Sequence, residues 1–369
     1  MIKKVEIENF KCFIEKSIGF EDLTVLSGVN AVGKSSTIQV LLLCIQNMKK
    51  MNGIYNENSN NYLSLKSEEG IHLGSVNDIG NYSTDLKDFM FRIDLTNDCV
   101  IEMKSEIKRE DNINFHVNTK ITNMVDGDLL SLIDKIQFVS AERLGPMVSY
   151  EDLDISYDVG VYGQNSVSIL CHLDLFNVEE ERCFTQDSIR LLPKAVEEWM
   201  NYIVPGTELY PSKVDGIEKT KMQIKNSKES KWVKPIHTGF GISYLLPIIV
   251  AAMIAPKGSA IIVENPEAHL HPLGQSRMGE FLSVIANSEV QVIVETHSDH
   301  LINAIRKSVT RKQIDSNKVK INFFEKIEND VIITELKINN IGEIDQWPTG
   351  FLDQEKMDLK DMFEARIRK

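Results

Sequence analysis

The chain has 369 residues, of which 42% are hydrophobic and 26% are charged, as in folded globular proteins. Its 54 acidic and 41 basic residues give a net charge of −13, which excludes a general nucleic-acid coat and makes any polyanion binding local. The five cysteines include no C-x-x-C pair, and no apolar run approaches the roughly 18 residues of a membrane span. We therefore expect a cytoplasmic protein with no structural zinc and no membrane association.

Short strands at the start of the chain lead into a predicted phosphate-binding loop. Val5–Phe10 alternates between polar and apolar residues as a strand, and Leu23–Leu26 is an apolar run typical of a buried strand. Residues 28–35 then match G-x-x-x-x-G-K-[ST], and an apolar-periodic segment from Ser35 to about Met48 predicts a helix. The alternative, an ordinary glycine turn before a helix, does not account for the Lys-Ser pair at this spacing. The sequence predicts a nucleoside triphosphate site.

Each part of this loop has an expected role. The backbone N–H groups of the loop and of the helix N-terminus form a concavity that binds phosphate oxygens. Lys34 is expected to reach the β- and γ-phosphates, and the Ser35 hydroxyl to ligate Mg²⁺. The predicted nucleotide-binding residues of the loop are Gly28, Asn30, Ala31, Gly33, Lys34, Ser35 and Ser36.

The opening of the chain resembles a known family. The run IKKVEIENFKCF, followed by FEDLTVLSGVNAVGKSS, is similar to the start of ABC-class ATPases of the SMC, RecF and OLD type. Those proteins begin with a strand, an N-F-[KR]-x-F element and L-x-x-L-x-G-x-N-x-x-G-K-S, in which Asn30 is the asparagine. The resemblance implies ATP and Mg²⁺ as cofactors and an α/β fold: a mainly parallel sheet flanked by helices, with an antiparallel β subdomain and an inserted helical and β region.

We expect an insertion between two halves of the ATPase domain. The first half covers residues 1–50, the inserted lid or arm covers 51–235, and the second half, with a closing hairpin and tail, covers 236–369. Alternating residues predict antiparallel strands over 88–140, and helical periodicity predicts mostly helix over 150–205.

Two basic features lie in this insertion. Arg143, in the turn after an apolar strand, has two open interpretations: it senses nucleotide, as the corresponding connection does in the resembled family, or it makes a structural salt bridge. Residues 207–235 predict strands with a lysine bias around Trp232. Lysines between Lys219 and Lys234 could bind DNA phosphates, or they could belong to a solvated hairpin edge.

An acidic strand end predicts the second half of the nucleotide site. Ala260–Glu264 is an apolar strand whose last carboxylate is expected beside the P-loop, where it would hold Mg²⁺ directly or through water. OLD-like ATPases have D-E-P-E-x-H-L-H-P here, whereas this sequence has E-N-P-E-A-H-L-H-P. Asn265 therefore stands where the family has its catalytic glutamate. An amide cannot accept a proton, so either Glu267 is the base or hydrolysis is slow.

Histidines near these strands have several possible roles. His269 and His271 could bind a metal with Glu267, but in the resembled family H-L-H-P contacts the partner subunit. His297 ends the next apolar strand and resembles the switch histidine that contacts the γ-phosphate; a structural hydrogen bond is the alternative. The predicted catalytic residues are Lys34, Glu264, Glu267 and His297.

The turn Gly239–Ser243 precedes an apolar helix in the place of the ABC signature motif, although the family's Ser-Gly-Gly-Gln is absent. The resemblance implies that Gly241 and Ser243 contact nucleotide held by a second copy, because a helix N-terminus binds anions. A homodimer with two shared ATP sites follows. Residues 298–369 are too few for the Toprim nuclease domain of OLD proteins, so we expect a separately encoded effector, a nuclease or a toxin.

Two hypotheses follow for function. The first is a homodimeric ATPase whose hydrolysis drives an anti-phage or DNA-linked process together with the effector. The second is a nucleotide-gated scaffold with very slow hydrolysis that restrains or recruits the effector. An ABC transporter motor is disfavoured by the large insertion and the missing standard signature.

Overall fold

The computed structural model describes residues 1–51, 58–84, 88–106, 113–123, 135–153, 156–227, 229–328 and 330–367. The strands within these ranges are β1 (Ile2–Phe10), β2 (Phe13–Gly19), β3 (Leu23–Gly28), β4 (Asn58–Ser64), β5 (Lys66–Ser67), β6 (Ile71–His72), β7 (Met90–Leu95), β8 (Val100–Glu106), β9 (Asn114–Thr122), β10 (Ile136–Val139), β11 (Tyr150–Glu151), β12 (Glu208–Lys213), β13 (Lys219–Lys225), β14 (Ala260–Glu264), β15 (Gln291–Glu295), β16 (Val319–Ile327) and β17 (Asp330–Lys337). The helices are α1 (Lys34–Lys50), α2 (Ser166–His172), α3 (Leu192–Ile203), α4 (Phe240–Ile254), α5 (Pro272–Asn287), α6 (Asp299–Thr310) and α7 (Gln354–Ile367).

A six-stranded, mainly parallel sheet forms the centre of the molecule, in the order β10-β14-β15-β3-β16-β17. All of its neighbouring strands are parallel except β17, which pairs antiparallel with β16. The strands β14 and β15 are buried almost throughout, as expected where helices cover both faces of a parallel sheet. Because parallel strands end at one edge, β3, β14 and β15 bring their carboxyl ends together.

Alternate residues of the central strands serve two hydrophobic cores. On one face, Val263 and Val294 pack with α3, α4, α5 and α6. On the other face, Ile262 and Ile293 pack with α1 and the antiparallel sheet. The period of two along each strand produces this division. The central sheet is thus enclosed between a helical layer and a layer built from α1 and strands.

The second large sheet is antiparallel, in the order β2-β1-β7-β8-β9-β4. It combines strands from both sides of residue 50, and β10, within the predicted 51–235 insertion, is an edge strand of the central sheet. Neither large sheet is therefore confined to one side of the boundary expected at residue 50. In the closing hairpin β16–β17, β16 lies beside the P-loop strand β3.

A small three-stranded sheet, β11-β13-β12, contains the basic hairpin. The predicted helical stretch forms α2 and α3 with irregular chain between them, and α3 begins at Leu192 with Pro193 in its first turn. Proline fits there because the first helical N–H has no intrahelical partner. In the described part of the chain, no helix has the length and apolarity to span a membrane.

Candidate nucleotide site

The loop between β3 and α1 has the backbone of an anion cradle. Gly28, Ala31 and Gly33 have φ values of 135°, 61° and 105°. A Cβ at Gly28 would lie 2.0 Å from the carbonyl oxygen of Phe324, so β16 leaves no room for a side chain there. The loop then enters α1 at Lys34, with Gly33 as N-cap. Successive N–H groups and the helix N-terminus can therefore face one ligand.

Lys34 is buried within this loop. Its Nζ donates to the carbonyl oxygens of Gly28 (3.0 Å) and Val29 (2.5 Å), and burial lowers its pKa. Next to it lies a pocket of about 440 Å³. The residues lining that pocket are Lys11, Cys12, Asn30, Ala31, Val32, Gly33, Lys34, Ser35, Ser36, Gln39, Asn265, Glu295 and His297.

Glu295 is the carboxylate that touches the P-loop. The Ser35 hydroxyl donates to its Oε1 at 3.0 Å, while its Oε2 is buried and has no partner among the described residues. Burial and the neighbouring Glu264 raise the pKa of Glu295 to about 7. Glu295 was not among the residues predicted from the sequence, although it ends an apolar run two residues before His297.

Glu264 does not lie directly beside the P-loop, contrary to the expectation from the sequence. The strand β15 intervenes between β14 and β3. The Glu264 Oε2 atom accepts hydrogen bonds from the Ala141 N–H (3.0 Å) and the Ser140 hydroxyl (3.4 Å). Burial raises its pKa. Glu264 therefore faces the site from one strand further away, behind Glu295.

Arg143 fixes the turn that follows β14. Its guanidinium donates to the carbonyl oxygens of Glu264 (2.7 Å), Asn265 (2.7 Å) and Ser140 (3.1 Å). Burial lowers its pKa to about 10. Arg143 does not line the nucleotide pocket and makes no salt bridge among the described residues, so neither interpretation from the sequence describes its contacts.

Asn265 and Glu267 are placed differently. Asn265 lines the pocket with a φ of 44°, and its N–H donates to the Glu295 carbonyl oxygen at 2.8 Å. Glu267 accepts from the His297 backbone N–H at 2.8 Å through Oε1, while its Oε2 is buried with no partner among the described residues. Asn265 thus lines the pocket, whereas Glu267 does not.

His297 also lines the pocket. Partial burial and the charge of Lys34 lower its pKa from an ordinary value of 6.5, so the imidazole is neutral at pH 7. A neutral imidazole next to Lys34 can donate one hydrogen bond and accept another.

The Gly239–Ser243 turn lies apart from this pocket. It borders a second cavity of about 410 Å³, which shares no lining residue with the first. Gly241 packs so closely that a Cβ would lie 2.8 Å from the His269 carbonyl oxygen, and the Ser243 hydroxyl is buried without a partner among the described residues. One copy of the chain does not bring this turn to its own P-loop.

The histidines of H-L-H-P have structural contacts. The His269 ring lies 5.3 Å from the Phe240 ring and 4.7 Å from the Tyr244 ring, at the start of α4. His271 caps α5, because its Nδ1 accepts from the Leu273 N–H at 3.3 Å. Within the ranges that the structure describes, no three His, Cys, Asp or Glu side chains form a metal-binding group.

Lys11 is a second lysine of the pocket that was not predicted from the sequence. It belongs to the N-F-K element, has a φ of 50°, and donates from Nζ to Gln39 Oε1 at 2.7 Å. Its position in the N-F-K element could have marked Lys11 as a candidate site residue. Its proximity to the P-loop, however, depends on how β1 and β2 pack.

These features define a P-loop nucleoside triphosphatase fold, in which one strand separates the P-loop strand from the acidic strand β14. The family model described as "AAA ATPase domain" matches residues 1–232 and 102–302. The chain belongs to this AAA ATPase domain family. Residues 314–362 match a second family, described as a protein of unknown function, DUF3696.

Solved structures show the same fold. A crystal structure of an SMC head bound to the C-terminal winged-helix domain of ScpA is 14% identical over 91% of this chain and 97% of its own, with a TM-score of 0.52. The SMC head of Pyrococcus furiosus, bound to the C-terminal domain of ScpA, is 13% identical over 99% of both chains, with a TM-score of 0.51. No curated protein matches. The predicted α/β fold and the resemblance to ABC-class ATPases of the SMC type are confirmed.

Glu295 predicts a pH dependence of stability. Its pKa rises from an ordinary 4.5 to about 7 on folding, so between these values the folded state binds more protons than the unfolded state. The free energy of unfolding should therefore fall as the pH rises from 5 to 7, by at most about 3 kcal/mol.

Urea unfolding at pH 5 and pH 8 measures this effect, with Glu295→Gln as the test and the exposed Glu289→Gln as the matched control. Glu295→Gln should reduce the pH-dependent decrease in the free energy of unfolding, and Glu289→Gln should not. An unchanged slope in Glu295→Gln would contradict the assignment.

Proposed function

We propose that the chain binds Mg·ATP in the P-loop pocket and hydrolyses it slowly. The observation that supports this most is the placement of Lys34 and the Ser35–Glu295 pair at the wall of one pocket. We assign the phosphates to the loop N–H groups, Lys34 and His297, and Lys11 lies at the same pocket.

The donor set fits a magnesium ion. Ser35 supplies a hydroxyl, and Glu295 and Glu264 supply carboxylates whose pKa values are raised by burial. The buried Glu295 Oε2 has no protein partner among the described residues, which is the state expected of an oxygen that serves a bound cation or its water. When bound, the ion would neutralise charge on the phosphate oxygens. We assign Ser35 and Glu264 to it, with Glu295 between them.

We assign the attacking water to Asn265 and its proton to Glu267. The Asn265 amide can orient water but cannot take the proton. Glu267 accepts a hydrogen bond from the His297 N–H and does not line the pocket, so proton transfer requires a shift of this loop or an intervening water. We therefore expect slow hydrolysis. The alternative is a scaffold whose dimer is held together by ATP and rarely dissociates, because hydrolysis is rare.

We further propose a homodimer with two shared sites. The Gly239–Ser243 turn opens the 15-residue helix α4 but borders a cavity separate from the P-loop pocket. A second copy related by a two-fold axis would place Gly241 and Ser243 at the phosphates of the first. Exposed Phe240 and Leu273 beside this turn give the contact an apolar part.

The cellular role that we propose is that of a cytoplasmic ATPase that acts with a separately encoded effector, a nuclease or a toxin, in an anti-phage or DNA-linked system. Membership of the AAA ATPase domain family and an SMC-head fold support the ATPase part of this proposal.

Single-turnover hydrolysis of ATP tests the chemistry. Lys34→Ala should abolish binding, and Glu267→Gln should bind ATP but lose about 100-fold in rate, which is typical for removal of a general base. Asn265→Glu should raise the rate about tenfold or more, because it puts a carboxylate on the pocket wall. Glu289→Gln is the control. Tight binding by the unmodified chain without turnover would exclude the enzyme and favour the scaffold.

Light scattering with and without ATP tests assembly. We expect the mass to double with ATP in Glu267→Gln, where slow hydrolysis preserves the complex, and to stay monomeric in Lys34→Ala. A monomer under all conditions would rule out the shared sites.

A second candidate function, DNA binding, rests on the exposed face of the β12–β13 hairpin. The Tyr210 and Trp232 rings lie 5.8 Å apart, and Lys225 Nζ lies 4.7 Å from the Trp232 ring. Exposed aromatic rings next to lysines are typical of surfaces that bind single strands. Lys219 pairs with Glu151, and Lys225 with Glu208 at 3.2 Å, so these two are partly neutralised.

Lys221, Lys231 and Lys234 are exposed and form no ion pair among the described residues, whereas Lys228 lies outside those residues. Reversing all three charges to Glu should weaken binding of a single-stranded oligonucleotide and lower the salt slope by about 3. Lys337→Glu, on the edge strand β17, is the control. No measurable affinity of the unmodified chain at low salt would remove this function.

A further inference from the structure

A third cavity, of about 620 Å³, lies at the opposite edge of the central sheet from the nucleotide pocket. It is lined by residues from the C-terminal ends of α1 and α4 and from the start of β10, among them Lys49, Ile136 and Ala255. The other end of β10 leads to Ser140, beside Glu264. The strand β10 therefore runs from the cavity toward the Glu264 side of the nucleotide site, the two cavities share no lining residue, and the proposed ATPase does not use this cavity.

A buried arginine closes this cavity. Arg182 is 1% exposed. Its Nε donates to the Ser288 hydroxyl at 2.9 Å, and its Nη1 donates to the carbonyl oxygens of Ala252 (3.2 Å) and Ala255. These bonds stabilise the C-terminal end of α4. The Nη2 group has no hydrogen-bond partner among the described residues, so the bonds to α4 and Ser288 leave one edge of the guanidinium without an acceptor there.

The charge of Arg182 also lacks a close counter-ion in the described part of the chain. The nearest carboxylates that act on it are Glu179, Glu181 and Glu289, and the last two lie closer to Lys257, at 3.1 and 3.7 Å. Burial lowers the pKa of Arg182. Fully buried arginines are normally paired. An unpaired charge in a medium of low polarity acts strongly on whatever occupies the space beside it.

The lining of the cavity has a positive balance. Together with Arg182, the described part of the lining contains Lys49, Lys135 and Lys257, against Asp158 and Glu179, and Lys257 is also paired with Glu181 and Glu289 outside the lining. Asp158 already accepts from the Gly160 N–H at 2.8 Å. On a chain with a net charge of −13, a buried arginine with Lys49 near it favours an anionic ligand at this cavity.

The remaining wall is apolar and aromatic. The Tyr157 and Phe176 rings lie 6.3 Å apart in an edge-to-face arrangement, and Tyr157 is 57% exposed at the mouth. Met253 and Pro256 provide further apolar surface. Pockets of this size with apolar walls and a few converging charges are typical of sites for small molecules.

We propose that this cavity binds a small organic anion whose carboxylate or phosphate group lies over Arg182 and whose apolar or aromatic body lies against Tyr157 and Phe176. A purely structural role of Arg182 accounts for the bonds to α4 but not for the neighbouring Lys49 or the aromatic mouth. The two acidic groups share the recognition chemistry, and the experiment separates them.

Isothermal titration calorimetry tests the proposal on the full chain carrying Lys34→Ala, which removes phosphate binding at the P-loop. The probes are phenyl phosphate and benzoate, with neutral benzyl alcohol as the control ligand. We expect saturable binding of one or both anions and none of benzyl alcohol. The stronger of the two anions identifies the group that the site takes.

Three further substitutions locate the binding. Arg182→Gln should weaken the anion about tenfold or more, whereas Arg182→Lys, which keeps the charge, should change the affinity about threefold or less. Lys49→Ala, at the rim, should weaken it severalfold even if the Arg182 variants do not fold, and the exposed Lys337→Ala should not. No saturable binding of either anion, or affinity unchanged in Lys49→Ala and Arg182→Gln, would overturn the proposal.

Discussion

The site depends on an unfavourable arrangement, two carboxylates buried next to each other at one edge of the central sheet. Glu295 and Glu264 end adjacent parallel strands, paired residue for residue, so their charges are neighbours by construction. Burial and this proximity raise the pKa of Glu295 to about 7, and the pKa of Glu264 rises as well. A cation at this edge relieves the repulsion. The P-loop lysine and a magnesium ion bound with the nucleotide are therefore expected to stabilise the arrangement that ATP requires.

Local patterns predicted the parts of this molecule that are local in the sequence. The P-loop, α1, β14 and the β16–β17 hairpin follow from spacing and periodicity, because the residues that define each of them are consecutive. The strand order was not available from such patterns. It decides that β15 lies between β3 and β14, and hence that Glu295, rather than Glu264, meets Ser35. The contacts of Arg143 were not predictable for the same reason, since two of its three carbonyl partners, on Glu264 and Asn265, lie more than a hundred residues away.

The turn after β14 determines what the site can do with ATP. Asn265 has a left-handed backbone and lines the pocket, while Glu267 accepts a hydrogen bond from the His297 N–H and does not line the pocket. If the Asn265 amide lines the pocket, it can orient a water molecule there, but the proton of that water must reach the more distant Glu267. In the proposed function, this geometry favours long-lived ATP-bound dimers, because the nucleotide that joins two copies is consumed slowly. The C-terminal end of α4 is held by the buried Arg182, and in the proposed dimer its N-terminal end, at Gly239–Ser243, would contact the second copy.

Mixing two inactive variants tests the shared ATP site most directly. Lys34→Ala removes the P-loop, and Gly239→Asp places a negative charge at the start of α4, where a side chain has open space around it. Each variant alone should be inactive. An equal mixture should recover about a quarter of the normal ATP hydrolysis, because half of the dimers are mixed and each mixed dimer has one intact site. No recovery in the mixture, or full activity of Gly239→Asp alone, would contradict a site shared between two copies.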